Sequence, residues 1–389
     1  MSRAGIYIQV PFCQTKCTYC NFHTGVVSTA RFAPYISAVC AEIRQHRELH
    51  ESAAISLPSD LADAVADTVY IGGGTPSLLE ANHLQKLIDA VRESFATELT
   101  EVTLEADPET VTLEKAEAWL RAGINRISFG VQSFSDTELR AAGRMHRRED
   151  VYRAVAILRD AGIANVSFDL IAGLPHQTRE SWQHSLDELA ALGPQHVSVY
   201  LLEIDAGSHL GKELLQGGKR YSAESVPDED AMAEFYETAC GELSKAGYHH
   251  YEISNWARPG LESRHNLKYW RREPYLGFGA GAHSFSGTQR WANAHDSAAY
   301  VNAINSGRLP VEQLETVTNE SALEEELFLG LRQLDGIDLR RIERQYGVAL
   351  APRFENLTAA GLLQRDGDTI RLAPDRVSVS NEVFVELMK

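Results

Sequence analysis

Residues 5–23, GIYIQVPFCQTKCTYCNFH, decide how the rest of the chain is interpreted. The first six of them are rich in β-branched and aromatic residues and predict a strand. Directly after that strand, Cys13, Cys17 and Cys20 follow a C-x3-C-x2-C spacing. Clustered thiols in a reducing compartment are more often metal ligands or catalytic groups than disulfide partners. The stretch therefore predicts a strand whose end carries a thiol site.

Composition and charge limit the classes of protein to which the chain can belong. The 389 residues include 37 Lys and Arg against 54 Asp and Glu, a formal net charge of −17. A chain this acidic is a poor binder of nucleic acid and of anionic lipid, which are both bound through Lys and Arg. No apolar run approaches the roughly 20 residues that span a bilayer, and the N-terminus lacks a signal-peptide pattern. We expect a cytoplasmic protein with no membrane anchor and no nucleic-acid partner.

Strand-like and helix-like segments alternate from residue 5 to about residue 255. The strands are predicted at 5–10, 67–73, 101–106, 125–131, 165–173 and 195–202. The helices are predicted at 31–47, 80–95, 112–122, 149–161, 179–192 and 228–246. Thr112 and Ser181 are the expected N-caps of two of these helices.

This alternation predicts right-handed βαβ units, a parallel sheet and the α/β class. Six units rather than eight favour a partial (β/α)6 barrel over a complete one. The strands are expected to be almost continuously apolar, since both faces of such a sheet are usually covered.

The chain is predicted to divide into three parts. Residues 1–255 form the barrel, and residues 256–318 form loops over the barrel mouth and a linker, because this region is rich in Gly, Ser, Arg and Trp. Residues 319–389 predict three helices and a hairpin that turns at residues 366–368, a small winged-helix-like α+β domain. Its nine basic and thirteen acidic residues favour an architectural role over DNA binding.

Three explanations of the clustered cysteines are possible: two kinds of metal site and a chance grouping. Structural zinc usually takes four ligands, and His23 is the only nearby side chain that would complete a Cys3His site. A [4Fe–4S] cluster held by three thiolates instead leaves one iron open to a small molecule. The remaining alternative is a chance grouping of buried cysteines. Cys40 and Cys240 lie in helical patterns and are expected to be core residues.

The cysteine motif, with an aromatic residue at Tyr19, resembles that of the radical S-adenosylmethionine (SAM) superfamily. The resemblance implies a partial radical SAM barrel with a [4Fe–4S] cluster on Cys13, Cys17 and Cys20. It also implies that the open iron binds the methionine part of SAM, and that an electron donor such as flavodoxin or ferredoxin supplies the reducing electron.

Over almost the whole chain, the sequence is similar to the oxygen-independent coproporphyrinogen III oxidase-like group. Residues 72–76 (GGGTP) match the glycine motif of that group, and polar residues follow at the ends of later strands, where barrel enzymes place their chemistry. For any one of Glu105, Gln132, Arg144 and Asp169 alone, a hydrogen bond or salt bridge at the rim of the barrel is the better explanation, but the four together match the pattern of the group. The SAM contacts that the resemblance implies are Tyr7, Tyr19, Gly73, Gly74, Thr75, Glu105, Gln132, Arg144 and Asp169.

Two departures from the oxidase point to the related haem chaperones. The oxidase has a fourth cysteine where this chain has Phe22, and it has a long segment before the first strand, which here begins by Gly5. The sequence HNLKYW (265–270) also matches the HNxxYW motif of the chaperones. The resemblance implies His265 as an axial ligand of haem iron, although a hydrogen-bonded loop histidine remains the alternative.

Other residues of this region are weaker candidates for contacts with haem. Neighbouring basic residues could meet the haem propionates, namely Arg258, Arg264, Lys268, Arg271 and Arg272. His283 follows the glycine-rich run 277–281, for which we expect a close approach of the backbone to the barrel mouth.

The favoured hypothesis is a haem chaperone that binds haem and passes it to an apo-haemoprotein recipient. A membrane-associated recipient is compatible with this hypothesis. The alternative is a coproporphyrinogen III dehydrogenase of porphyrin biosynthesis that uses SAM radicals. A structural zinc module is the third possibility.

Overall fold

The computed structural model describes residues 3–387 except 56, 59, 60 and 62, so the outermost residues of the predicted parts 1–255 and 319–389 lie outside the described residues. Its strands are β1 (Arg3–Val10), β2 (Phe12–Cys13), β3 (Gly25–Val26), β4 (Val65–Gly73), β5 (Ala96–Ala106), β6 (Arg126–Gln132), β7 (Asn165–Ala172), β8 (His196–Leu201), β9 (His249–Glu252), β10 (Asn255–Ala257), β11 (Tyr275–Phe278), β12 (His283–Phe285), β13 (Gln289–Asn293), β14 (Val311–Thr316), β15 (Ile337–Asp338), β16 (Leu363–Asp366) and β17 (Thr369–Leu372).

The α-helices of the described residues follow the barrel strands and build the C-terminal part. They are α1 (Phe32–Arg44), α2 (His46–Ser52), α3 (Ala81–Ser94), α4 (Leu113–Ala122), α5 (Asp136–Ala141), α6 (Arg148–Asp160), α7 (Arg179–Leu192), α8 (His209–Leu215), α9 (Glu229–Lys245), α10 (Arg264–Trp270), α11 (Ser297–Asn305), α12 (Asn319–Arg332), α13 (Leu339–Tyr346), α14 (Ala351–Ala359) and α15 (Ser380–Leu387).

The six predicted barrel strands are confirmed as a parallel sheet in the order β1-β4-β5-β6-β7-β8. Each predicted helix between them is also present. Thr112 caps α4 as expected, accepting from the N–H of Lys115. The cap of α7 is Thr178 rather than Ser181, because Ser181 takes the third helical position and bonds back to Thr178 in a reciprocal pair.

The prediction that the barrel strands are continuously apolar is wrong. Outward-facing residues such as Ile6, Val69 and Phe129 are fully buried against the helices. The alternate positions are polar and bond to one another inside the barrel: the Tyr70 hydroxyl donates to Glu105 at 2.9 Å, for example. The curved sheet encloses its own interior, so one face of each strand is lined by polar side chains instead of being covered by an apolar helix.

Strands also occupy the region predicted as mouth loops, so the interpretation of residues 256–318 as loops needs correction. β11 pairs in parallel with β1, and β12, β13 and β14 continue that edge of the sheet as antiparallel strands. β10 and β9 extend the other edge. These strands have three to six residues, too few for a periodic signal in the sequence. Residues 203–227 contain the short helix α8 and a 3₁₀ segment.

The C-terminal part contains the three predicted helices and the predicted hairpin of β16 and β17. β15 pairs with β17 to complete a three-stranded sheet, and α15 follows as a helix that the sequence did not predict. Arg332 of α12 forms an ion pair with the fully buried Glu252 at 2.6 Å, which fixes this part to the edge of the large sheet. The boundaries 255 and 318 stay a prediction. Among the described helices, none has the length and apolar character to cross a membrane.

Candidate cluster and cofactor site

The three clustered cysteines lie at the end of the barrel where the parallel strands finish, which we call the cysteine end. Cys13 ends β2, and β2 pairs in parallel with β3, so the loop of residues 14–24 is closed at its base. Cys17 and Cys20 face each other across a turn in which the N–H of Cys20 donates to the carbonyl of Cys17 at 3.3 Å. All three thiols are free and half-buried.

Backbone hydrogen bonds tie this loop to its surroundings. The N–H of Thr18 donates to the carbonyl of Ala142 at 3.0 Å, and the N–H of Leu210 donates to the carbonyl of Thr18 at 2.7 Å. Tyr19 packs against a small apolar cluster that includes Ile171 and Leu210. The loop therefore has a defined position without any metal.

The donor set fits an iron–sulfur cluster better than a single metal ion. Within the described residues, no group of three or more His, Cys, Asp or Glu side chains surrounds a position for one ion. Each thiolate of a [4Fe–4S] cluster binds a different iron, so the three thiols must be spaced apart rather than converge on one point. Burial raises the pKa of the Cys13 thiol, while hydrogen bonds with Thr24 and Thr75 oppose the shift.

The glycine motif meets the base of the cysteine loop. The N–H groups of Gly74 and Thr75 donate to the carbonyls of Val10 and Phe12, at 2.8 and 2.7 Å. A Cβ at Gly74 would lie 2.4 Å from the carbonyl oxygen of Phe12, so no other residue fits there without a backbone shift. Gly73 has a φ of +116°, which a side chain would disfavour. The motif is a close contact between two strand ends as well as a candidate cradle for a ligand.

Glu105 lies directly beneath this motif and is partly buried. One of its oxygens accepts from the N–H of Gly73 at 2.8 Å and the other from the Tyr70 hydroxyl. Burial raises the pKa of Glu105 to about 7, and these two hydrogen bonds oppose the shift. A cation beside this carboxyl group would favour its ionised form, and the ammonium group of an amino acid is such a cation.

Arg144 links the cysteine loop to the strand ends. Its guanidinium donates to the Cys17 sulfur at 3.4 Å and to the carbonyl of Gly130 at 2.9 Å, and it forms an ion pair with Asp107. Its buried Nε has no partner within the described residues. The predicted contact with a ligand carboxylate would therefore have to share or replace the contact with Asp107.

Gln132 and Asp169 occupy the ends of the next two strands. Gln132 has a φ of +66°, in the left-handed region that costs a non-glycine residue about 1 kcal/mol or more. Such strain is concentrated at functional sites. Asp169 is within hydrogen-bonding distance of the Ser128 hydroxyl at 3.4 Å, and burial raises its pKa. Tyr7 stacks on Tyr70, with 6.1 Å between ring centroids, and so lines the same interior.

His265 lies away from this site. It belongs to α10, which packs against the beginnings of β1, β4 and β5 at what we call the α10 end of the barrel. Its Nδ1 is 2.9 Å from the Thr68 hydroxyl, and its Nε2 is 2.8 Å from the Tyr269 hydroxyl. The ring is 1% exposed. Ligation of haem iron by His265 needs a free ring nitrogen, and neither is free in this conformation.

Most of the basic residues around α10 are also engaged within the protein. Lys268 forms ion pairs with Asp67 at 3.0 Å and Glu273 at 3.2 Å, and Arg272 pairs with Glu325. Two guanidiniums remain exposed, those of Arg264 and Arg271. They line a cavity of about 270 Å³ on the outer face of α10, the face opposite His265.

Three residues that belong to the site escaped the sequence-based prediction. Asp107 bridges Arg144 and the Thr75 hydroxyl, Gln9 lies against Gly73, and Tyr70 links Glu105 to Tyr7. Asp107 lies two residues after Glu105, Gln9 lies two after Tyr7, and Tyr70 lies two before Gly72, the first residue of the glycine motif. The alternation of strand faces is the signal that would have found them.

Comparisons with known proteins agree with this arrangement. Residues 7–189 match the model of the radical SAM superfamily, and residues 317–375 match that of the HemN C-terminal domain. The haem chaperone HemW of Bacillus subtilis is 35% identical over 384 residues, which cover 97% of this chain and 97% of that protein. The chain belongs to the HemW family of radical SAM proteins.

Other members of the HemW family match over similar lengths. HemW of Lactococcus lactis is 32% identical, with 98% of this chain and 96% of that protein covered. The solved structure of coproporphyrinogen III oxidase, HemN, from Escherichia coli superposes with a TM-score of 0.84 at 21% identity, covering 99% of this chain and 90% of HemN. At that identity the likeness concerns the fold alone. The α/β radical SAM fold predicted for this HemW family member is confirmed.

Proposed function

We propose that this protein binds haem and delivers it to apo-haemoproteins, on a radical SAM barrel that carries a [4Fe–4S] cluster and binds SAM. The observation that carries the proposal is the 35% identity to a haem chaperone HemW over nearly the whole of both chains. Phe22 supports it, because this position holds an exposed phenyl ring, 67% accessible, in place of a further thiol.

In this proposal Cys13, Cys17 and Cys20 hold the cluster. When bound, the cluster supplies one iron without a protein ligand, which is where an amino acid chelates. Around it, residues 73–75 offer backbone groups, and Glu105 offers a partly buried carboxylate for the ammonium group of SAM. Arg144 lies within 3.4 Å of the Cys17 sulfur and can bring positive charge to a ligand carboxylate.

The remaining SAM contacts come from the walls of the barrel. Tyr7 and Tyr19 supply aromatic surface on either side of the cysteine loop, while Gln132 and Asp169 can bond to ribose hydroxyls. Gln132 has its left-handed conformation at a shift of register between β6 and β7. An electron donor such as flavodoxin or ferredoxin, and a recipient that could be membrane-associated, complete the proposed partners.

The alternative function is oxidative decarboxylation of coproporphyrinogen III, as a radical SAM dehydrogenase. The TM-score of 0.84 with HemN favours it, although only at the level of the fold. Phe22 disfavours it, because the oxidase group has a cysteine at this position.

One experiment separates the two functions. The full-length protein, reconstituted anaerobically with iron and sulfide, is titrated with haem while the Soret band is followed, and the haem-loaded protein is then mixed with apomyoglobin as a generic acceptor. A parallel sample receives coproporphyrinogen III, SAM and a reductant, and its porphyrins are separated by chromatography.

We expect a Soret shift that saturates, followed by transfer of haem to apomyoglobin. Haem on serum albumin is the control for passive release. The absence of any Soret shift would refute the chaperone proposal. Formation of protoporphyrinogen would establish the dehydrogenase instead.

A further inference from the structure

Three histidines that are far apart in the sequence meet at the cysteine end of the barrel. β11 runs parallel to β1, so the turn after β11 lies beside the start of the cysteine loop. β12 begins at this end with His283, and β13 returns to it, so that His295 follows two residues after its last residue. His23 lies in the loop itself, three residues after Cys20.

The rings of these histidines are close to one another. His23 stacks on His295 with 3.9 Å between ring centroids and 28° between planes. His283 is near enough to both that they lower its pKa, after the desolvation that lowers it most. A neutral imidazole, the form that binds haem iron, is thereby favoured at His283.

His23 and His283 are exposed and His295 is half-buried, and their hydrogen bonding differs from that of the buried histidines. His46, His50, His146, His196 and His265 each have a ring nitrogen within hydrogen-bonding distance of an oxygen. Within the described residues, His23, His283 and His295 have no such partner for any ring nitrogen. The Nδ1 of His295 is buried without one, as is the Nδ1 of His83, whereas His46, His50 and His146 each leave only one of their two ring nitrogens unpaired. Buried polar atoms without partners are uncommon in native proteins and point to a missing ligand or water.

Exposed apolar surface flanks the same histidines. Phe22 and Val26, on either side of His23, are 67% and 60% exposed, and Phe22 is the most exposed large apolar residue in the described part of the chain. Imidazole donors next to an exposed aromatic ring are the combination that a flat, apolar metal complex requires.

We propose that one of His23, His283 and His295 is the axial ligand of haem iron, with the porphyrin face packed against Phe22. This proposal rests on the proposed function, since it names the side chains that hold the cargo. It places haem beside the cluster loop and on the opposite end of the barrel from the HNLKYW helix. His265 is then a structural residue whose two hydrogen bonds hold α10 in the barrel.

The test uses the anaerobically reconstituted full-length protein, titrated with ferric haem, with absorbance and electron paramagnetic resonance as readouts. The H23A, H283A and H295A single variants and the triple variant are compared with H184A. His184 is a partly exposed histidine of α7, 3.7 Å from Glu188, and serves as the matched control. Iron content and circular dichroism establish that each variant is folded and loaded.

We expect the triple variant to raise the Kd for haem by about tenfold or more and to lose the spectrum of imidazole-bound iron. One of the single variants should show most of this loss and so identify the axial ligand, and F22S should weaken binding without changing the spectrum. The H184A variant should behave as wild type.

Two results would overturn the assignment. One is a triple variant with the wild-type Kd and spectrum, and the other is loss of iron ligation in H265F while the triple variant keeps it. A wild-type protein that binds no haem would instead refute the proposed function, and this assignment with it.

Discussion

At the α10 end of the barrel, His265 and the buried charged side chains bond to one another, whereas at the cysteine end three histidine rings have no hydrogen-bonding partner within the described residues. The α10 end also holds single buried nitrogens without a partner, on Trp270 and Arg272. Glu101 accepts from the N–H groups of Arg264 and His265, at 3.0 and 2.9 Å, and Lys268 lies between two carboxylates. At the cysteine end, three histidine rings lack hydrogen bonds within the described residues, and Gln132 is held in a left-handed conformation.

This difference separates the roles of the two ends. Satisfied buried groups stabilise a fold, while unsatisfied and strained groups persist where a ligand completes them. We therefore expect the HNLKYW segment to be a structural element at the beginnings of the strands, and ligand binding to belong to the end where the strands finish.

The largest effect is expected from the cysteine motif. C13A, C17A and C20A each remove a thiolate that no neighbouring residue replaces, so the iron content after reconstitution should fall from about four per chain to a small fraction. Iron analysis and the absorbance of the brown protein measure this loss. The C240A variant, which removes a half-buried thiol elsewhere, should keep its iron. Full iron content in any of the first three variants would contradict the assignment of the ligands.

At the α10 end, the largest effect should be on stability. Lys268 is 5% exposed and pairs with Asp67, which is 8% exposed. K268M leaves that carboxylate with only the half-exposed Arg3 as a partner, at 3.8 Å, which costs about 3 kcal/mol in the free energy of unfolding. Urea unfolding measures this loss of stability, and R271Q, on the exposed face of the same helix, is the control. A K268M variant as stable as wild type would contradict a structural role for the α10 end. A K268M variant that loses its iron–sulfur cluster would contradict the separation of that role from ligand binding.

The sequence predicted the parts of this fold that depend on local patterns. The six barrel strands and the helices between them were found because each repeats its own period over enough residues. The thiol site was found because its three members lie within eight positions. The short strands β11 to β13 gave no such signal, and their pairing with β1 depends on contacts between distant segments.

Local patterns could not show which way a side chain points. HNLKYW matches a motif, but only the packing of α10 against Gly5 and Thr68 determines that His265 faces the interior. In the same way, no spacing relates His23 to His295, which meet only because β13 ends beside the cysteine loop. The ion pair of Arg144 with Asp107 was missed for the same reason, since it joins two different strand ends.

The two ends should also respond to acid in opposite directions. The pKa of Glu105 is raised to about 7, so its folded form binds a proton more readily than the unfolded chain, and stability from this group is gained as pH falls. The pKa of His265 is lowered by burial to about 3, so stability from this group is present above its ordinary value of 6.5 and is lost as pH falls.

Between pH 7 and pH 5, each contribution changes by about 2 kcal/mol and the two nearly cancel. The E105Q variant should therefore lose more stability than wild type over this range, and H265Q should lose less. Urea unfolding at the two pH values measures both. If the free energy of unfolding changes between the two pH values by the same amount in both variants as in wild type, neither group titrates as its burial implies.

The smallest effect is expected from the exposed guanidiniums of the α10 end. Arg264 and Arg271 line the cavity of about 270 Å³ and have no ion-pair partner in the described part of the chain, so they are the basic residues there best placed to meet haem propionates. Exposed charge pairs are worth about 0–1 kcal/mol, and haem bound at the cysteine end would not reach them. R264Q and R271Q should therefore change the Kd for haem by about threefold or less. If R264Q or R271Q changes the Kd for haem by tenfold or more while H295A keeps the wild-type Kd, the haem binds at the α10 end instead.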